Sequence, residues 1–277
     1  MLSRRASLNS TCLGAILVGA MLATAGFAPW LTRFDPEQMD LENRLAGPSA
    51  RHWLGTDNFG RDLWTRVAFG ARISLTIALA SVGGAALLGT AVGLASGYFG
   101  GWVDLLLMRV VDLVLGFPAL ILILALVAAL GPGAAQVGLA LVALFWTETA
   151  RVVRAITLAE REKEYVTAAR ALGAGSLRIL FRQILPAAFG PILVLAALGI
   201  GTAVVAESGL SFLGFGVPPP APSWGWTLAY GMRFLRTDAW LSTVPGLFIL
   251  LTVLGFNLLG EGLRDRLAPR TPLRRTR

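Results

Sequence analysis

Histidine, cysteine and lysine, the side chains most often recruited for metal and covalent chemistry, are nearly absent from these 277 residues. The chain has one histidine, His52, one cysteine, Cys12, and one lysine, Lys163. A single histidine excludes a His-Glu-x-x-His zinc site. A Gly-x-Ser-x-Gly nucleophile elbow is missing. So is any Gly-Lys-Ser/Thr phosphate loop, so the chain cannot cradle ATP by itself. Cys12 has no partner for an intrachain disulfide. Asp57 and Asp62, in Gly55-Thr-Asp-Asn-Phe-Gly-Arg-Asp62, are too few to ligate a metal and read as hydrogen-bond acceptors in a turn-rich loop. What remains is binding chemistry, and it is concentrated in one polar segment, Glu160 to Pro186, between two apolar blocks.

That segment has its own grammar. Glu160 to Leu172 contains helix formers and no breaker. Acids lead (Glu160, Glu162, Glu164) and Arg170 follows, which complements a helix dipole. Tyr165, Ala168, Ala169 and Leu172 recur at helical spacing and form one small, apolar face on which a partner can sit closely. Gly173 suits a left-handed C-terminal cap. Ser176 is a candidate cap for a second short helix through Ile179, Leu180 and Ile184. Pro186 fits the first turn of the next helix. The bland alternative is an amphipathic loop lying on a bilayer.

The elements that hold this segment are apolar. The hydrophobic fraction is 55%, the charged fraction 14% and the mean hydropathy +0.68. A soluble domain carries roughly a quarter charged residues. Apolar runs of about 20 residues match a hydrocarbon core of about 30 Å. Open sheets leave backbone unsatisfied in lipid, so the expected class is an all-α integral membrane protein. Six spans are predicted, at 11–32, 73–97, 105–130, 135–155, 186–206 and 241–260. The first reads as an uncleaved anchor, although Ala23-Thr24-Ala25 resembles a signal-peptidase site. With the N-terminus inside, 16 of the 24 basic residues fall on the cytoplasmic side, and that side holds the whole +8 excess. This obeys the positive-inside rule, places both termini in the cytoplasm, and explains the charge without nucleic acid. Regions 33–72 and 207–240 then face outward. The latter carries Gly214-Phe-Gly-Val-Pro-Pro-Pro-Ala-Pro222, which cannot be helix interior, and the pair Trp224 and Trp226, which suits a membrane interface.

Charges near the spans read as local pairs. Arg109 and Asp112 are three apart, and Glu148 and Arg151 repeat the spacing. Glu207 follows the fifth span and reads as a solvated helix end. Gly89-x-x-x-Gly93, with Gly83, Gly84, Gly199 and Gly201, fits close helix contact.

Tyr165-x-x-Ala168-Ala169-Arg170-x-Leu172-Gly173-Ala174, followed by Ile184-Leu185-Pro186, resembles the "EAA" coupling motif of bacterial ABC importer permeases. Trp53-Leu-Gly-Thr-Asp57, Gly60-Arg-Asp62, Gly70-Ala-Arg-Ile-Ser-Leu75, Gly97-Tyr-Phe-Gly-Gly-Trp-Val-Asp104, Ser211-Phe-Leu-Gly214, Pro222-Ser-Trp-Gly225 and Phe256-Asn-Leu-Leu-Gly260 are similar to the dipeptide/oligopeptide/nickel branch, C-type subunit. The likeness covers about residues 30–270. Two positions depart: Thr167 stands where the motif usually has Glu, and Gln183 where His is common.

The resemblance implies a type I ABC importer (MetI-like) permease fold in a bacterial inner membrane. It implies an N-terminal helix and periplasmic segment (1–70), a transmembrane domain (71–261) with a coupling segment at about 160–186, and a basic cytoplasmic tail (262–277). The residues it marks for ATPase docking are Glu164, Tyr165, Ala168, Ala169, Arg170, Leu172, Gly173, Ile184, Leu185 and Pro186. Implied partners are a second homologous permease, two cytoplasmic ATPase subunits that bind ATP and Mg, and an extracytoplasmic solute-binding protein. No cofactor is expected in this chain, and the chain itself is not an enzyme. The implied cargo is a di- or oligopeptide, with nickel and glutathione- or opine-like solutes left open. An ion-gradient transporter would show repeats and mid-span ionisable groups, and neither stands out.

Overall fold

A computed structural model describes the backbone of residues 2–267 and the side chains of residues 10–267. The side chains of Arg4 and Arg5, and the predicted basic tail from 268 onward with Arg270, Arg274, Arg275 and Arg277, lie outside the described residues. The described chain is helical: α1 Leu2–Leu31, α2 Leu63–Phe99, α3 Gly101–Leu115, α4 Ala119–Leu130, α5 Ala134–Arg161, α6 Glu164–Ala171, α7 Ser176–Ile179, a π-turn Leu180–Ile184, α8 Leu185–Phe212, α9 Trp224–Met232 and α10 Trp240–Leu267.

Four continuous helical runs are long and apolar enough to cross a membrane: Ser10–Leu31, Leu63–Phe99, Ser176–Phe212 and Trp240–Leu267. The expected third span is not one helix. Gly116, Phe117 and Pro118 break it into α3 and α4, which bend by 91°. Pro118 starts α4 without a backbone donor and restricts the residue before it, so the apolar run cannot stay helical there. Counting the bent pair as one pass gives five. The expected fourth span is a single helix, α5, but Gln136, Thr147, Glu148, Thr149 and Arg151 dilute its apolarity.

Helix α5 is positioned by α2. A Cβ on Gly89 would lie 2.4 Å from the Trp146 carbonyl oxygen, one on Gly93 2.6 Å from that of Ala150, and one on Gly97 2.6 Å from the Thr157 Cβ. The expected Gly89/Gly93 contact is therefore real, and Gly97 extends it. Numbering rises together on both helices, so α2 and α5 run parallel. The chain must return across the bundle between Phe99 and Ala134, and α3–α4 is that return. Helix α8 runs antiparallel to α2, with Gly199 beside Val82 and Glu207 beside Ser74.

Three charge readings are corrected. Asp112 pairs with Arg151 on α5 at 2.7 Å instead of with Arg109, and this also takes Arg151 from Glu148. Asp104 takes a bidentate bridge from Arg154 (2.5 and 2.6 Å) and a Ser96 hydroxyl at 2.5 Å, tying α2, α3 and α5. Glu207 is no solvated end. Helix α8 continues to Phe212, and the carboxylate is fully buried, accepting the Ser74 hydroxyl at 2.7 Å and the Ser211 hydroxyl at 2.8 Å.

The segments predicted to face outward pack onto this frame. Asp57 accepts from Phe59 N, Arg61 N and Arg61 Nε (2.7–3.0 Å). Asp62 caps α2 through Thr65 N (2.8 Å) and meets His52 Nδ1 at 2.9 Å. Both carboxylates are thus structural, as expected. Trp224 is fully buried rather than interfacial, its Nε1 donating to the Val67 carbonyl at 2.9 Å.

Candidate functional site

The segment between α5 and α8 is built as an elbow with an anchored underside. Helix formation does not run unbroken from Glu160 to Leu172, as its composition suggests. It stops at Arg161 and restarts at Glu164. Glu160 organises this break: it accepts from Lys163 Nζ at 2.6 Å and from the Tyr165 hydroxyl. The hydrogen bond to Glu160, with burial, pushes the Tyr165 phenol up to about 12. Arg161 Nη1 donates to the Gly97 carbonyl at 2.7 Å and fastens the end of α5 to the end of α2.

Gly173 takes φ +81°, the left-handed conformation predicted for it. Its N–H donates to the Arg170 carbonyl (3.0 Å), and the Ala174 N–H to the Ala169 carbonyl (3.0 Å), which together are a Schellman ending for α6. Ser176 does not cap the next helix. Gly175 holds that place and Ser176 is the first residue of α7. The chain then passes through the π-turn into α8. Pro186 stands in the first turn of α8, as predicted, directly after the π-turn Leu180–Ile184.

The predicted docking residues divide into three groups by burial. Glu164, Tyr165, Ala168, Arg170, Leu172, Gly173 and Pro186 are exposed, with Leu172 88% open. Ala169 and Leu185 are half-buried. Ile184 is fully buried and belongs to the anchor, not the outer face. Its companions are Val166, Ile179, Leu180 and Ala188, packed against Leu94 of α2, Val153 of α5 and Ile192 of α8. Burying each of the larger aliphatic side chains contributes about 1.5–3 kcal/mol relative to exposing it to water. The anchoring role of Val166 and Ile179 is not legible in the sequence, which only places Ile179 on the second short helix. Val166 lies about 110° round α6 from the centre of the Tyr165–Ala168–Ala169–Leu172 face, and that offset is the signal that could have identified it. Leu177 (70% exposed) and Phe181 (59%) extend the exposed face beyond the motif. An apolar, small-residue platform with polar edges is therefore seated on α2, α5 and α8 by an apolar underside.

The sequence model of the family described as "Binding-protein-dependent transport system inner membrane component" matches residues 89–272, which include this platform. Over 258 residues the chain is 43% identical to a dipeptide transport system permease protein of Alkalihalophilus pseudofirmus, covering 93% of this chain and 85% of the relative. It is 40% identical over 269 residues to a di/tripeptide transport system permease protein of Pseudomonas aeruginosa (95% and 89%). A glutathione transport system permease protein of Pectobacterium atrosepticum is 40% identical over 256 residues (92% and 85%). The all-helical architecture, the spanning helices and these matches agree, and the chain belongs to the family of binding-protein-dependent transport system inner membrane components.

Proposed function

We propose that this chain is one of two membrane subunits of an ATP-driven importer, forms half of the path for di- or oligopeptides, and couples that path to separate ATPase subunits. The observation that carries the reading is the Tyr165–Ala168–Leu172 face, exposed on an elbow whose underside is locked by Val166, Ile179 and Ile184. A surface rigidly joined to α5 and α8, and itself uncovered, is suited to receive force. Relatives named for dipeptides and di/tripeptides support the cargo. A glutathione cargo is the second reading, favoured by the relatives that carry that name; glutathione is itself peptide-like.

In this reading the chain makes six passes, with α3–α4 as one bent pass and α5 shielded by its neighbours. Residues 1–70 supply the first helix and outer segment, 71–261 the transport domain, and 262–277 a cytoplasmic tail. Both termini and the elbow face the cytoplasm. ATP and Mg are bound by the partner ATPases. A second homologous permease completes the path, and an extracytoplasmic binding protein delivers the solute. ATP binding closes the ATPase pair and shifts the permease pair between outward and inward access.

The test is Gly173→Val in the complete complex reconstituted in liposomes, with alanyl-alanine as cargo and glutathione and Ni2+ as competitors. A β-branched residue resists positive φ. Uptake and binding-protein-stimulated ATP hydrolysis are expected to fall together, about tenfold, at unchanged insertion. Normal coupled activity in that variant would refute the role of the elbow.

A further inference from the structure

Two cavities lie in a row between α2 and α8. The first, of about 170 Å³, is lined by Val82 and Ala85 of α2, Glu148 and Thr149 of α5, and Gly199 and Thr202 of α8, among others. The second, of about 520 Å³, continues along the same two helices from Ala86, which both share, to Phe181 at the platform, with an apolar lining apart from Thr90. Each of α2, α5 and α8 contributes to the first cavity from near its own midpoint, which places that cavity at mid-depth in a membrane. Glu148 is the charged side chain among the described residues lining this trough.

Among the described residues, the next two basic side chains after Glu148 on α5 are already paired. One turn further along α5, Arg151 is bound to Asp112 (2.7 Å), and Arg154 is bound to Asp104 (2.5 and 2.6 Å). Glu148 itself is exposed to the cavity. A carboxylate at mid-membrane is costly unless it meets water or a cation, and such groups mark the routes of transported species. Thr149 and Thr202 add hydroxyls beside it, while Gly199 and Ala85 keep the wall open.

We infer that Glu148 is a transient site for a cationic group of the transported solute. Resting on the peptide reading above, that group is the α-ammonium of a peptide passing through the trough. A zwitterion entering an apolar channel loses its hydration. The carboxylate offsets part of that loss at the ammonium end, and the apolar walls beyond it keep the stop short. Binding here is charge recognition with little shape recognition, which suits cargo of variable side chains.

The experiment separates the site from the cargo. Thr202→Cys in a Cys12→Ser background, in the complete reconstituted complex, is treated with a cationic (trimethylammonium) or an anionic (sulfonate) alkyl methanethiosulfonate. Cation labelling is expected to exceed anion labelling about tenfold, and Glu148→Gln should remove that preference. No labelling, or an unchanged preference in Glu148→Gln, overturns the inference. In parallel, Glu148→Gln should slow alanyl-alanine uptake about tenfold while binding-protein-stimulated ATP hydrolysis persists, and Glu148→Asp should restore part of the uptake. Wild-type uptake in Glu148→Gln, or equal loss of uptake and hydrolysis, also counts against the site. If the unmodified complex carries no alanyl-alanine yet shows the labelling preference, the cation site stands and the peptide reading falls.

Discussion

At the scale of single residues, Glu207 and Gly173 make opposite points. Gly173 is legible in the sequence because a glycine after a helical run, followed by a small residue and a new helix start, has one economical conformation, and the structure adopts it. Glu207 is not legible. A charge after an apolar run reads as a helix end, and its main partner, Ser74, lies 133 positions away. The partner decides the environment, and nothing local reveals it. Glu207→Leu should destabilise the chain by about 2–4 kcal/mol, because the Ser74 and Ser211 hydroxyls lose their acceptor in a buried site. Glu207→Gln keeps an acceptor and should lie within about 1 kcal/mol of the parent. Denaturant unfolding in micelles measures both, and equal effects would argue against the hydrogen-bonded account.

Elements were read well where periodicity and small residues dominate, and poorly where one residue interrupts an apolar run. The pair Gly89 and Gly93 is plain in the sequence, and the structure adds Gly97 and supplies their partner, α5. The break at Pro118 was overridden by the hydropathy of its flanks, although proline itself was the warning. The elbow is intermediate: its turn and its exposed face were foreseen, but its anchor was not, because burial of Val166 and Ile179 depends on Leu94 and Val153 from other helices. Gly93→Leu should wedge α2 from α5, since its Cβ would meet the Ala150 backbone at 2.6 Å. Gly83 has open space, and Gly83→Leu should leave the fold intact. Thermal unfolding of the isolated chain in detergent should fall sharply for the first and hold for the second.

The whole molecule adds direction. Parallel α2 and α5 require the chain to cross back once between them, so the loop at Gly131, Pro132 and Gly133 lies on the opposite side from the elbow. Cysteines at Pro132 and at Ser176, in a Cys12→Ser background, should react with an impermeant thiol reagent from opposite sides: Pro132→Cys from outside and Ser176→Cys from the cytoplasm. Labelling of both from one side would make α3–α4 a re-entrant hairpin and reverse the assignment. Packing gives only relative sides; the basic-residue count is what proposes which of them is cytoplasmic, because charge asymmetry is a global property. The spatial order of helices is set by packing between distant segments, and no composition count contains it.

From Ser176 to Phe212 the backbone is one uninterrupted helical run of 37 residues, roughly 55 Å at 1.5 Å per residue. One end of the run is the elbow and the other carries Glu207. The π-turn and the two prolines, Pro186 and Pro191, all lie in its first half, where Ile179, Leu180 and Ile184 anchor the run against α2 and α5. Such a member behaves as a connecting rod with a fixed heel. A displacement applied beneath the membrane arrives at the far side with no slack loop to absorb it, and the serine-clasped carboxylate is the rivet that passes it to α2.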